Sequence, residues 1–150
     1  MDKLFREFLD TYLKVWYSSS LTELKNLIAK DYKGREITNG EIIDFEMEES
    51  INGWEQGFNF VKENNAEWIL QELSIIPLRA DEIMVIISAT MLIDNKSLDT
   101  ANIFFQTFKN DRSNGWKLIR SYIEAGIPND HINKMQFNRS LSDILPNYHN

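Results

Sequence analysis

Four polar residues sit inside otherwise apolar, alternating runs, and they are the first candidates for chemistry. Glu72 alternates with Trp68 and Leu70, while Arg120 alternates with Trp116 and Leu118 and is followed by Tyr122 and Glu124. A charge among apolar strand neighbours is costly to bury unless it is paired. If that face is internal, the Arg120 guanidinium needs a counterpart: Glu72, the Tyr12 hydroxyl, or a bound anion. In that arrangement Arg120 and Tyr122 hold an anionic ligand and Glu72 serves as acid or base. The alternative is that these residues face solvent or form a cross-strand pair on an outer sheet face. Strand phase decides between the two. A single bulge would turn Arg120 outward and bring Ile119 and Ser121 in.

The aromatic residues Trp16, Trp54, Phe58, Trp68 and Trp116 could stack on a flat ligand or simply fill the core. The acidic cluster Asp44, Glu46, Glu48 and Glu49 has no histidine near it, and its position reads as a complement to a helix dipole rather than a metal site. Both histidines, His131 and His149, fall near the C-terminus, so a buried histidine base would require that stretch to fold back. Phosphate loops, dinucleotide-binding glycines and a nucleophile elbow are absent from the sequence, so neither cofactor nor metal is expected.

The elements that must position these groups belong to one domain. A chain of 150 residues, 43% hydrophobic and 12% aromatic, is long enough for a real core. With 16 basic against 23 acidic residues and a net charge of −7, it lacks the clustered cations that nucleic acid demands. The absence of cysteine excludes disulfides, thiol catalysis and cysteine-bound zinc. The charged N-terminus does not read as a signal peptide, and no run is long enough to span a membrane. A cytoplasmic protein is expected.

Helical spacing puts Phe5, Phe8, Leu9, Tyr12, Leu13 and Trp16 on one stripe of a helix over 3–17. Ser20 and Glu23 suggest a capping box for a second helix over 20–29. A short strand is expected between Asp31 and the Asn39-Gly40 turn. A third helix over 48–63 carries Ile51, Trp54, Phe58 and Val61. From Ala66 the period changes to two, giving strands over 66–77, 82–93, 101–109 and 116–124 in an antiparallel meander. The fold class is α+β, with three helices covering one face of a curved sheet. Residues 1–126 form the domain and 127–150 a polar tail, with one helical turn expected at 141–145.

Three stretches carry a family likeness. Phe8-Leu9-Asp10-Thr11-Tyr12-Leu13-Lys14-Val15-Trp16 with Leu21-Thr22-Glu23-Leu24, the Asp31-Tyr32 pair, and Asn114-Gly115-Trp116-Lys117-Leu118-Ile119-Arg120-Ser121-Tyr122 resemble the nuclear transport factor 2-like superfamily. Within it the sequence is similar to small SnoaL-like domains, relatives of ketosteroid isomerase and polyketide cyclases. The resemblance implies a cone-shaped α+β barrel of the cystatin-like type, a homodimer, and a cavity under the helices. It places the face of Trp116, Arg120 and Tyr122 toward those helices, so the expected lining is Tyr12, Trp16, Trp54, Glu72, Arg120 and Tyr122. The carboxylate, tyrosine and protonated-aspartate constellation of the isomerase is not reproduced, since Glu36 is the only acid at the end of the first strand. The implied function is binding of a small apolar or anionic molecule, in a group that includes cofactor-free isomerases, dehydratases and cyclases. The alternative is an acidic protein-interaction module, such as an adaptor, assembly or toxin-neutralising protein. This fold hosts all of these, and the volume of the cavity separates them.

Overall fold

The first helical stripe folds as expected into α1 (Lys3–Tyr17), with Phe5, Leu9, Tyr12 and Trp16 fully buried. The computed structural model describes residues 3–134 and Ser142. After α1 come α2 (Leu21–Lys25), β1 (Ile28–Thr38), β2 (Glu41–Glu46) and α3 (Met47–Glu63). Then follow β3 (Ala66–Arg79), β4 (Glu82–Ile93), the two-residue β5 (Lys96–Ser97), β6 (Thr100–Asp111), β7 (Gly115–Pro128) and the short α4 (Asn129–Ile132). His131 lies exposed in α4, while His149 and, apart from Ser142, the turn expected at 141–145 lie outside the described residues.

The strands form one curved sheet in the order β2-β1-β7-β6-β4-β3, with β5 added beside β4. The expected antiparallel meander is present in β3, β4, β6 and β7. The sheet as a whole is mixed, because β1 runs parallel to β7. It is also unclosed, with β2 and β3 as its edges. Helices α1 and α3 pack their apolar stripes on one face, where Phe5, Tyr12, Trp16 and Phe58 meet Val85, Ile87, Phe108 and Leu118 in the core.

Several local expectations are corrected. The second helix ends at Lys25 because the backbone N–H of Leu118 donates to the Leu27 carbonyl at 2.8 Å, drawing the chain into the sheet. Ser20 has N-cap backbone geometry, yet its side chain makes no capping bond. The capping box instead belongs to Glu46 and Glu49 at the start of α3. Strand β2 was not foreseen. Its hairpin turns through Asn39 and Gly40, both at positive φ (52° and 80°), which the Asn-Gly pair tolerates. The hairpin also separates α3 from the first two helices, so the helices do not all precede the sheet. Asp44 and Glu46 read as dipole complements, but their carboxylates pair with Arg35 at 2.6 Å and Lys33 at 2.5 Å across the hairpin. Gly34 is required where Phe45 folds over β1, since a Cβ there would lie 2.4 Å from the Phe45 ring.

Candidate functional site

Between α3, the β1–β2 hairpin and the inner sheet face lies a cavity of about 470 Å³. The alternation of β1 turns Tyr32, Gly34 and Glu36 to this side and Lys33 and Arg35 to the other. Trp16 comes from α1, Trp54 from α3, Trp68 from β3 and Phe104 from β6. Trp54 and Phe104 stand nearly perpendicular to Trp16, with ring centroids 4.7 and 4.9 Å away. These edge-to-face contacts make a stiff aromatic wall. Trp68 is held in turn by its indole N–H, which donates to Ser19 Oγ at 2.9 Å.

The polar floor is a chain of buried groups. Ser121 Oγ donates to Gln106 Oε1, and Gln106 Nε2 donates to the Tyr12 hydroxyl at 3.0 Å. Gln106 is fully buried, and Tyr12 with it. Burial pushes the Tyr12 phenol far above its ordinary range against the opposing bond from Gln106, so it stays neutral. Burial likewise raises the Tyr32 pKa, although Ser121 and Ser50 oppose the shift. The floor therefore offers neutral hydroxyls and an amide rather than ionised groups. The buried indole N–H of Trp16 has no hydrogen-bond partner among the described residues.

The mouth is marked by the exposed lining residues Ile43, Glu49, Gly53 and Leu98. Gly53 and Gly57, one turn apart on α3, also line the cavity beside Glu49, Ser50 and Trp54 of the same helix. A Cβ on Gly53 would meet nothing within 4 Å. Glycine inside a helix costs about 1 kcal/mol relative to alanine, so Gly53 is a legible but easily overlooked sign of open space, while a Cβ on Gly57 would touch Trp68 at 3.6 Å.

Of the six residues expected to converge, the structure brings three to this region. Trp16 and Trp54 line the cavity, and Tyr12 lies under its floor, reached through Gln106. The other three are elsewhere. Glu72 keeps the expected strand phase, but it lies near the edge and is gripped by Arg6 of α1 at 2.7 and 3.0 Å. Arg120 and Tyr122 face away from the helices. The reason is a bulge in β7: Phe108 pairs with Leu118 but Thr107 with Arg120, leaving Ile119 unmatched. Beyond it Ser121 and Ile123 turn inward, while Arg120 binds Glu82 at 2.6 Å and Tyr122 donates to Glu124 at 2.5 Å. Both outward residues border a separate groove on the opposite sheet face, with Arg35 and Asp44.

Sequence reasoning named Ser121 only as what a bulge would bring inside, and it missed Gln106, Tyr32 and Ser50. Gln106 was marked by its place among Phe104, Phe105 and Phe108, whereas nothing local distinguishes Ser121. Among the described residues no cluster of three or more His, Cys, Asp or Glu could hold a metal, and no helix is long and apolar enough to cross a membrane.

The Arg120→Met variant is expected to fold normally, with a melting temperature within about 4 °C of the parent, because half-exposed ion pairs contribute little. Arg120 holds the Glu82 carboxyl below its ordinary value of 4.5. A depressed carboxyl stabilises the fold above about pH 4.5 and loses that contribution as the pH falls through its lower folded pKa. The difference between parent and variant should therefore vanish on acidification, which thermal melts across pH 2–7 would measure. A variant that unfolds at neutral pH would contradict this placement.

Solved structures of this architecture define the class. A nuclear transport factor 2-like protein with a cystatin-like fold from Novosphingobium aromaticivorans superposes with a TM-score of 0.62 and 12% identity, over 89% of this chain and 87% of that one. A domain of unknown function with a cystatin-like fold from Nostoc punctiforme gives 0.62 at 9% identity, over 95% and 92%. A nuclear transport factor 2-like protein of unknown function from Shewanella oneidensis gives 0.60 at 13%, over 81% and 96%. The chain therefore has the nuclear transport factor 2-like fold. At these identities the likeness is one of fold, and no family model or curated protein matches the sequence.

Proposed function

We propose that this chain binds a small, largely apolar molecule in the cavity, as a SnoaL-like receptor or cofactor-free enzyme. The observation that carries this reading is the hollow itself: about 470 Å³, walled by Trp16, Trp54, Trp68 and Phe104 over a floor of buried hydroxyls and an amide. Apolar walls with a few fixed polar groups are the usual build of a ligand site. A protein-interaction module does not require such a space, and a core filled with side chains would be the more stable one.

Position 53 tests the reading directly. Gly53→Ala should raise stability by about 0.5–1 kcal/mol, since the helix gains a better residue and the site has room. Gly53→Trp should fold but obstruct the cavity. A thermal-shift ligand screen would then give hits on the parent that Gly53→Trp loses, because a ligand bound to the native state raises the melting temperature. Hits shared equally by both proteins would overturn the proposal.

A second feature supports the homodimer implied by the family resemblance. The sheet face away from the helices carries the exposed Ile76 and Tyr122 beside Met84 and Phe105. Pairing through this face should bury more than about 1,000 Å². Sedimentation at micromolar concentration is expected to give the mass of two chains. A monomer there would exclude this assembly.

A further inference from the structure

We propose that the cavity selects an organic cation, an apolar body carrying an ammonium group. The inference rests on the small-molecule reading above and names its ligand class. Among the described residues only two charged ones line the cavity, and both are acidic: Glu36 on β1 and Glu49 on α3. Neither takes part in an ion pair among the described residues. Three cations of the neighbouring strands are directed elsewhere. Lys33 and Arg35 alternate to the opposite face, where Glu46 and Asp44 hold them, and the β7 bulge sends Arg120 out to Glu82.

The two carboxylates keep free acceptor capacity. Glu36 Oε2 accepts from Thr38 Oγ1 at 2.7 Å, and Glu49 Oε1 accepts a long 3.4 Å bond from the Glu46 backbone. The same cavity is lined by Trp16, Trp54 and Trp68, and indole faces attract a cation through their quadrupoles. An anionic ligand would meet two carboxylates and no compensating positive charge. A neutral one would gain at most a hydrogen bond from them, without the charge attraction. The combination of acidic rim and aromatic wall thus favours a cation over both, reversing the anionic ligand expected from Arg120.

Three probes on one skeleton test this: 4-phenylbutylammonium, 4-phenylbutanol and 4-phenylbutyrate, titrated into the full chain by tryptophan fluorescence and calorimetry. The ammonium compound should bind at least about tenfold more tightly than the alcohol, with the carboxylate weakest. The double substitution E36Q/E49Q should bring the ammonium compound to the level of the alcohol. Glutamine at position 49 can still make the capping bond to Glu46, so α3 is retained. Equal affinity for the ammonium compound and the alcohol in the parent would overturn the cation preference and leave the cavity reading standing. Failure of all three to bind, or equal binding to Gly53→Trp, would overturn both.

Discussion

Trp16→Ala is expected to lower stability by about 3–5 kcal/mol, the range for removing a fully buried aromatic side chain. For a chain of this length that corresponds to a fall in melting temperature of about 6–20 °C. The loss is large because Trp16 joins two structures at once. Its indole contacts Tyr12 within α1, and it contacts Trp54, Trp68 and Phe104 across the cavity wall, with ring centroids between 4.7 and 6.0 Å. Removing it leaves those rings without their perpendicular partner, and the void merges with an existing cavity that cannot collapse around it. Denaturant unfolding with an unchanged slope would report the loss as stability alone. A loss below about 1 kcal/mol would mean that the wall repacks freely, and the rigid site described above would not exist.

Gln106→Leu should cost about 2–4 kcal/mol despite being nearly isosteric and more apolar. The amide is fully buried and ties two hydroxyls together, accepting from Ser121 and donating to Tyr12. Leucine leaves both buried hydroxyls short of a partner, and each orphaned group costs about 1–3 kcal/mol. The gain from burying an apolar side chain offsets only part of this. A double-mutant cycle with Tyr12→Phe should give a coupling of at least about 0.5 kcal/mol, because removing the hydroxyl relieves part of the damage. Additive effects would show that the bond contributes nothing to the floor of the site.

The two substitutions concern residues that were visible in the sequence to different degrees. Trp16 was legible because its helix is amphipathic at a spacing of three and four, and a stripe of that kind has only one side to bury. The same local logic gave α3 and the strands β3, β4 and β6, where the period or composition is set by neighbours in the chain. Gln106 was passed over, a polar residue in an aromatic run, and nothing in the run says what it touches. Tyr12 and Ser121, its partners, are 94 and 15 residues away.

What the amino-acid order determined by itself was therefore local: which segments curl, which extend, and where an Asn-Gly pair turns the chain. The tertiary structure decided what depends on contacts between distant segments. The parallel pairing of β1 with β7 ended α2 early and built the hairpin whose Glu36 and Phe45 close the cavity. The unmatched Ile119 in β7 reversed the facing of Arg120 to Glu124, exchanging Arg120 for Ser121 inside. Side-chain facing in a strand has a period of two, so one extra residue inverts it, and a bulge without glycine or proline leaves no mark on the sequence. The charge of the cavity, acidic rather than basic, follows from that single residue and from the alternation of β1.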